Sequence, residues 1–404
     1  MPDDKGTRLR TVFTQNTEEL EELKQKIKKH RIRIAIIVLV VVFMVVIAID
    51  LLVLYYQRKT YTSFEVLSET VQEDSGAAEY EDFCGNILKY TRDGAVYGDF
   101  SGNMIWNQTY EMETPKISMC ETFLTIYEQN GTTIYILNTK GWQGTIHTTI
   151  PIQKVSVGRQ GTVAVLMQDA ETSYLHLYDK SGKQLAAGEM HVENSGYPVD
   201  IALSADAQKL AVSLLDINEG DVKTTVVFYN YGTVGQNEID NIVGSFSYSD
   251  IVIPRIQFVS NNRLLAFGDT EAVVYECKQK PVVKKEIDFR QDILSVYYNN
   301  DYFGVVSAKE NSANEYQTII YNKKGKMVAS LDYALDYTDI SFLQNDTVCI
   351  HNDKKCLIYT LKGNKKFDYQ FEQNIYSIIS GNSQRDYVFI LNGKTLHAKL
   401  NDGK

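Results

Sequence analysis

The sequence is poor in cysteine, and its few cysteines form no obvious framework. Five occur among 404 residues, and none belongs to a CxxC pair. An odd number without paired spacing excludes a small disulfide-stapled fold, and a chain of this length can be stable through its core alone. Cys349 and Cys356 bracket a short polar stretch. A tight turn at Asn352 and Asp353 places them directly opposite on adjacent strands, so we predict a disulfide between them.

Basic charge is scarce over most of the chain. The formal net charge is −10, and from residue 57 onward 32 Lys and Arg stand against 44 Asp and Glu. Nucleic-acid binding needs a basic surface for the phosphates, so we expect no nucleic-acid partner. The exception is residues 24–33, KQKIKKHRIR, with six Lys or Arg and no acid.

Patterns of common catalytic and metal sites are also missing. There is no HExxH, DxDxDG or P-loop, and no adjacent cysteine pair of the quinoprotein type. DFSGNMIW (99–106) only approximates a sialidase Asp box, because its Asp and Ser are transposed. We therefore predict no cofactor and no metal site. The histidines are scattered over separate segments, at His147, His176, His191, His351 and His397.

One long hydrophobic run dominates the layout. Residues 34–56, IAIIVLVVVFMVVIAIDLLVLYY, contain a single charge, and 23 residues of helix exceed the ~30 Å of a hydrocarbon core. The run is too long for a cleaved signal peptide, and no small-x-small site follows it. The basic stretch 24–33 precedes it, so the positive-inside rule predicts a single-pass cell-membrane protein. Its N-terminus is expected in the cytoplasm and residues 57–404 outside, with the lipid bilayer as one partner.

Asp50 is the one charge inside this run. A carboxylate at the centre of a membrane helix costs roughly 2.5–3.5 kcal/mol, and less near the interface. Two interpretations therefore stand. Asp50 contacts a partner within the membrane, or it is an interfacial acid that reaches water.

The rest of the chain reads as strands and turns. LYDKSGKQL (177–185) is a strand, an Asp-initiated turn with Gly, and another strand. Similar turns recur 38 to 51 residues apart, about 43 on average, which is the length of a four-stranded propeller blade. The turns begin at Asp99, Asn138, Asp179, Asn230, Glu276, Asn322, Thr360 and Asn401.

Eight turns predict an all-β, eight-bladed β-propeller with an N-terminal transmembrane helix. The last unit lacks a fourth strand, and the run 61–69 stands alone before the first unit, so we expect it to close the ring. A seven-bladed ring is the alternative, if the unit at Glu276 is misread. The predicted segments are 1–33 (cytoplasmic, with a juxtamembrane helix), 34–56 (transmembrane), 57–79 (closing strand and acidic connector) and 80–404 (extracytoplasmic propeller).

Two resemblances support this fold. NSGYPVDIALSADAQKLAVSLL (194–215) resembles WD40 and quinoprotein-like propeller blades, with Ala207 where those blades have Gly. ILKYTRDG, SGYPVDIALS, VVFYNYGTVGQN and VIPRIQFV, with the basic stub and the single span, resemble an uncharacterised family of membrane-anchored propellers of Gram-positive bacteria. The resemblance implies fold and location and no residue-level function.

Function is open between classes. We favour a non-enzymatic scaffold or recognition module for an envelope protein, peptide or glycan. A glycan hydrolase or lyase with carboxylates in the central channel is an alternative, and a transmembrane sensor is another. The loop LDYALDYTDI (331–340) offers aromatic and acidic groups that suit sugars or cationic peptides. Its candidate ligand-binding residues are Tyr333, Asp336, Tyr337 and Asp339, which could equally be packed or solvated loop residues.

Overall fold

The chain forms two compact units, Met1–Lys59 and Thr60–Lys404. The first contains one helix, α1 (Gly6–Arg58), which includes the predicted juxtamembrane and apolar segments without a break. Glu19–Val53 is long and apolar enough to cross a membrane, with a mean hydropathy of 3.4 in its most apolar window. The computed structural model describes residues 6–71, 78–170, 172–191, 196–218, 221–309, 315–381 and 383–402.

The described residues of the second unit form thirty-two strands in eight four-stranded sheets, the blades. Blade 1 contains β2 (Glu79–Phe83), β3 (Asn86–Tyr90), β4 (Gly94–Gly98) and β5 (Met104–Thr109). Blade 2 contains β6 (Pro115–Cys120), β7 (Phe123–Glu128), β8 (Thr133–Asn138) and β9 (Gly141–His147). Blade 3 contains β10 (Ile152–Val157), β11 (Val163–Asp169), β12 (Thr172–Tyr178) and β13 (Gln184–His191).

The middle blades repeat this pattern. Blade 4 contains β14 (Tyr197–Leu203), β15 (Lys209–Asn218), β16 (Asp221–Asn230) and β17 (Ile242–Ser249), with two short 3-10 helices before β17. Blade 5 contains β18 (Arg255–Ser260), β19 (Arg263–Phe267), β20 (Glu271–Cys277) and β21 (Pro281–Asp288). Blade 6 contains β22 (Ser295–Tyr298), β23 (Tyr302–Ala308), β24 (Tyr316–Asn322) and β25 (Met327–Tyr333).

The last blade is completed by the first strand, β1 (Ser63–Val71). Blade 7 contains β26 (Asp339–Leu343), β27 (Thr347–His351), β28 (Lys355–Thr360) and β29 (Lys365–Gln370). Blade 8 contains β30 (Ile375–Ser380), β31 (Asp386–Leu391), β32 (Lys394–Asn401) and β1. β1 pairs antiparallel with β32 from Ser63–Asn401 to Val71–Lys394. The acidic connector after β1 lies mostly in 72–77, outside the described residues.

The eight-bladed prediction and the closing strand are thus confirmed. The seven-bladed alternative is wrong, because the unit at Glu276 is the complete blade 5. The turn that begins at Glu276 is stabilised by a different kind of contact from the Asp and Asn turns. Glu276 forms ion pairs with Arg263, Lys278 and Lys284 at 3.7, 3.6 and 3.0 Å. The recurring turns are furthest apart, by 51 residues, between Asp179 and Asn230, because β15 and β16 have ten residues each.

In blades 1 to 7 the recurring turns join the third and fourth strands, as predicted, whereas Asn401 ends β32 and the fourth strand of blade 8 is β1. In blade 3 the Asp179 carboxylate accepts hydrogen bonds from the backbone N–H groups of Ser181 and Lys183 at 2.8 and 3.0 Å. Gly182 there has φ +85°, a conformation that glycine adopts without strain. Ala207, which replaces the motif glycine, has φ +55°, so the turn keeps the left-handed geometry at an unfavourable residue.

Hydrophobic cores lie between neighbouring blades. Ile134 and Ile136 of blade 2, for example, are fully buried against Val155 and Val165 of blade 3. A blade in the ring is covered on both faces, so its middle strands are continuous apolar runs such as VAVLM in β11. Each fully buried side chain of this size stabilises the fold by roughly 1.5–3 kcal/mol.

The direction of the strands defines two faces of the ring. Turns between first and second strands, and between third and fourth strands, lie on one face, here called the turn face. Loops between second and third strands, and those linking consecutive blades, lie on the opposite loop face. The first strand of every blade is the innermost, and these strands neighbour one another around the centre.

Candidate functional site

The inner strands enclose a central cavity of about 890 Å³. Side chains of β6, β10, β14, β18 and β22 line most of its wall, and β2 contributes Glu81. It extends from the loop-face ends of these strands to turn-face residues such as Arg159 and Asp301. Charged residues of both signs therefore meet in one cavity, which is the candidate site.

Three cations line one side of the cavity. We call them the basic group: Lys116 on β6, Lys154 on β10 and Arg255 on β18. The Arg255 guanidinium donates hydrogen bonds to the Tyr298 hydroxyl, from Nη2 at 2.6 Å and from Nε at 3.2 Å. That hydroxyl in turn donates to Gln257 Oε1 at 3.2 Å. Arg255 is thereby held in position, as an anion-binding cation needs to be.

A buried carboxylate lies within the basic group. Asp200 on β14 is only 1% exposed. Its Oδ1 lies 3.1 Å from Lys154 Nζ, and its Oδ2 accepts the Ile256 backbone N–H at 2.8 Å. β10 and β14 each carry an irregularity in pairing immediately before these residues, between Ile152 and Lys154 and between Pro198 and Asp200. Bulges at equivalent positions re-aim both side chains, and this brings the ion pair together.

Asp200 also belongs to a chain of links between inner strands. The Ser118 hydroxyl accepts the Val157 N–H at 3.2 Å, and the Ser156 hydroxyl accepts the Leu203 N–H at 3.0 Å. With Asp200 and Ile256, each inner strand from β6 to β18 is hydrogen-bonded to the next. Inner strands are sheet edges, so these side chains satisfy backbone donors that no strand pairs.

Carboxylates gather at another part of the ring. We call Glu79, Glu81, Asp82 and Asp339 the acidic group; the first three lie on β2 and Asp339 on β26. Burial raises the pKa of Glu81 to about 7, and the charges of Asp339, Glu79 and Asp82 act in the same direction. Burial also raises the pKa of Asp82 to about 6. Glu81 can therefore hold a proton near neutral pH.

The predicted ligand-binding loop is partly packed. Tyr333 is 5% exposed, and its ring lies near Tyr316 and Tyr337 with centroids 5.8 and 5.9 Å apart. The Tyr337 hydroxyl is hydrogen-bonded to Ser295. Asp336 is exposed and accepts a bond from the Tyr316 hydroxyl at 3.4 Å.

Asp339 differs from the other three predicted residues because it starts an inner strand. Its carboxylate is 57% exposed and lies 3.8 Å from Nε2 of the buried His351. The structure thus brings Tyr333, Asp336 and Tyr337 together around Tyr316 and places Asp339 in the acidic group. Ligand binding by these four residues stays a prediction.

Cys349 and Cys356 lie on adjacent strands but not directly opposite each other. Cys349 pairs with Ile358, and Cys356 pairs with His351, because the turn is centred on Asp353 and Lys354 and not on Asn352 and Asp353. The two thiols are diagonal neighbours in the core with their Sγ atoms 3.9 Å apart, and both are free. The disulfide stays a prediction. Alkylation without reducing agent tests it, since two labelled thiols would contradict it.

Asp50 lies in α1 and is exposed. Its membrane partner stays a prediction as well. Across the described parts of the chain, no three side chains of His, Cys, Asp or Glu are close enough together to hold a metal ion.

The basic group and Glu81 were missed by the reading of motifs. Consecutive members of this set lie 35 to 101 residues apart in sequence and meet only when the ring closes. A signal was nevertheless present. Once the strands are assigned to blades, charged residues within the otherwise apolar first strands become apparent, such as Lys116 in PKISMC and Arg255 in RIQFVS.

Comparison with known proteins agrees with this architecture. Residues 57–400 match a family of unknown function, DUF5711. The chain belongs to this family. The match spans the whole propeller, including the closing strand β1. None of the curated proteins matches the chain.

Solved propellers are similar in fold to this DUF5711 member. The C-terminal WD40 domain of Sif2 is 12% identical, with a TM-score of 0.56, over 85% of this chain and all of that one. Sqt1 from Chaetomium thermophilum is 10% identical, with a TM-score of 0.53, over 84% of this chain and all of that one. BamB from Moraxella catarrhalis is 10% identical, with a TM-score of 0.49 over 84% and 100%. At these identities the likeness shows the fold alone.

Proposed function

We propose that the protein is a membrane-anchored recognition module of a Gram-positive cell envelope. In this proposal α1 spans the membrane once, with the basic stretch 24–33 in the cytoplasm and the propeller outside. Two features support the anchor: the apolar residues 34–53 of α1 are exposed, and the only dense basic stretch precedes them. A closed β-propeller is a common scaffold for interaction modules, since its loops cluster at the two ring faces.

The observation that carries the recognition role is the charge distribution in the cavity. The basic group suits a carboxylate or phosphate, and Glu81, which lines the same cavity, suits an ammonium or a hydrogen-bond donor. A peptide or an amino-sugar glycan carries both kinds of group and can satisfy both sides. We therefore propose that an envelope peptide, glycan or protein segment binds in the cavity.

Site-specific photo-crosslinking in intact cells tests this role. A photoreactive amino acid replaces Lys116 at the cavity wall in one variant and Ser245, exposed on the outer strand β17, in the control. We expect a discrete product with a protein, peptide or glycan from position 116 and not from 245. The same products from both positions, or none from either, would contradict recognition in the cavity.

Asp50 is the second place where we propose a partner contact. Within the membrane a carboxylate is stabilised by a polar or cationic group on another helix. Asp50→Leu should then remove crosslinks formed by the span, whereas Asp50→Asn keeps part of them through hydrogen bonding. Unchanged crosslinks in Asp50→Leu would leave Asp50 as an interfacial acid.

An enzyme is the second candidate, and Glu81 is the observation that favours it. A carboxyl group in the cavity with a pKa of about 7, raised by burial and by the charge of Asp339, can act as a general acid in glycan cleavage. The full chain should then release reducing ends from wall glycan, and Glu81→Gln should abolish the release. Glu111→Gln, on the exposed loop face, is the matched control. No release by the wild type would reject this candidate.

A further inference from the structure

The chain enters the propeller on the turn face. Ser63, the first residue of β1, pairs with Asn401, the last residue of β32. Thr60 Oγ1 donates to the Lys365 carbonyl at 2.8 Å, and the Tyr61 N–H donates to the Lys366 carbonyl at 2.7 Å. Lys365 and Lys366 begin β29, directly after the turn of blade 7. α1 ends at Arg58, so whatever follows the helix reaches the ring at this face.

The turn face is rich in lysine, although the protein is acidic. Its turns 139–140, 179–183, 278–280 and 323–326 contain eight lysines and one acid, Asp179. Asp179 is engaged by backbone N–H groups of its own turn. Over the described turns of this face, eleven Lys or Arg stand against eight Asp or Glu. The face therefore attracts anions.

The loop face has the opposite charge. Its described loops contain ten Asp or Glu and four Lys or Arg. Loops 110–114 and 334–338, for example, hold three carboxylates and no Lys or Arg. The two faces thus differ in sign, and an anionic surface would attract one and repel the other.

Exposed apolar side chains accompany the lysines. The first or second residue after the turn is a large exposed apolar residue in the outer strands of blades 1, 2, 3, 5 and 6. The exposed fractions are 63% for Met104, 59% for Trp142, 56% for Leu185, 45% for Val282 and 52% for Met327. All five lie at the turn-face ends of outer strands, so they form a broken apolar rim around the lysine-bearing turns.

We propose that the turn face rests on the outer leaflet of the membrane. The lysines would contact anionic phospholipid headgroups, while the apolar rim, with Trp142 as its aromatic member, enters the interface. Charge and chain continuity select this occupant: the face is basic and apolar, and it is the face that the chain reaches directly after α1. The inference rests on the proposal that α1 spans the membrane. It leaves the loop face turned away from the bilayer.

Tryptophan fluorescence of the full chain in vesicles tests the contact. The protein has two tryptophans; Trp142 is on the rim and Trp106 is 8% exposed in the core. In vesicles of phosphatidylcholine and phosphatidylglycerol that contain brominated phospholipid, we expect quenching of the wild type. Trp142→Phe should show almost no quenching, because the remaining Trp106 is shielded.

Matched charge variants test the sign of the surface. Lys180→Glu with Lys324→Glu alters the turn face, and Arg92→Glu with Lys354→Glu makes the same change on the loop face. The turn-face pair should weaken the contact by on the order of fivefold per lysine. The loop-face pair should leave the quenching unchanged. Equal effects of both pairs would overturn the proposal.

Flotation of the vesicles after alkaline extraction separates the two proposals. If the protein floats and Trp142 is not quenched, the anchor holds and the resting turn face is wrong. If the protein does not float, the anchor itself is wrong, and this inference fails with it. If it floats and Trp142 is quenched only when phosphatidylglycerol is present, both proposals are supported.

Discussion

Two parts of the ring treat buried charge in different ways. Blades 2 to 5 pair it: Asp200 is buried between Lys154 and the Ile256 N–H, and Ser118 and Ser156 continue the same line of links. In the part of the ring from blade 7 to blade 1, burial shifts the pKa of charged groups toward neutral pH. There burial raises the pKa of Glu81 and lowers that of Lys366 to about 8.

This difference distinguishes a rigid part of the ring from a part whose stability depends on pH. The Lys154–Asp200 pair and the backbone N–H that Asp200 accepts hold neighbouring inner strands together. A group shifted toward neutrality changes state near physiological pH and couples that change to stability. Blades 2 to 5 thus contain the linked inner strands, whereas the part from blade 7 to blade 1 contains the two groups whose pKa burial shifts toward neutral pH.

The largest effect is expected where the paired side is broken. Asp200→Ala leaves Lys154 without its partner and the Ile256 N–H without its acceptor. Removing one partner of a buried pair typically costs about 3–5 kcal/mol, so the free energy of unfolding should fall by about that amount. Denaturant unfolding of the full chain in detergent measures it. Asp200→Asn keeps the backbone acceptor and should lose less; equal stability of wild type and Asp200→Ala would remove the basis of the comparison.

Removal of the buried Lys366, in blade 7, should increase the free energy of unfolding, whereas Asp200→Ala should decrease it. Burial, with Arg385 nearby, lowers the pKa of Lys366 from 10.5 to about 8. Between these values the unfolded chain binds a proton that the folded protein does not, so wild-type stability should rise with pH. Below pH 8 the folded protein carries the full cost, and Lys366→Met should stabilise it by about 2–3 kcal/mol. Thermal unfolding at pH 7 and pH 10 measures this.

Lys365→Met is the matched control for that experiment. Its side chain is 41% exposed and pairs with Asp368, so it should change stability little and keep the rise above pH 8. Destabilisation by Lys366→Met at pH 7 would mean that Lys366 is favourably paired, as charges are in blades 2 to 5.

Glu81 should give a smaller effect in the acid range. Its pKa is raised from 4.5 to about 7, so the folded protein binds the proton more tightly than the unfolded chain does. Stability from this group is full below pH 4.5 and is lost as the pH rises through 7. We expect a loss of about 1–2 kcal/mol after allowing for solvent screening, absent in Glu81→Gln. Unfolding curves from pH 4.5 to 8 measure it, and identical slopes for both proteins would contradict it.

The single hydroxyl links should give the smallest effect. Ser156→Ala removes the acceptor of the Leu203 N–H and should cost about 1 kcal/mol. Ser245→Ala, on an exposed site of the outer strand β17, is the control and should be neutral. Denaturant midpoints compare the two variants. If Ser156→Ala is as neutral as the control, the links are not what stiffens blades 2 to 5.

The spacing of the repeated turns was sufficient to predict the ring. The candidate site could not be predicted, because its residues come together only when the ring closes. Turn residues such as Asp179 and Asn322 act locally, so their spacing in sequence reports the blades directly. Lys154 and Asp200 are different, since their contact depends on two bulges and on the packing of neighbouring blades. The strand pairing of Cys349 and Cys356 was wrongly predicted because the turn lies one residue further along the chain, which shifts the register by two residues.

The closing strand β1 also has a mechanical meaning. Tension drawn through α1 enters the ring along β1, which runs antiparallel to β32 over nearly its whole length. Such a load shears the hydrogen bonds of the pair together and does not peel them one at a time. The strand that closes the ring would thus also be its strongest point of attachment. A force applied through α1 would act on blade 8 before it reached the other blades.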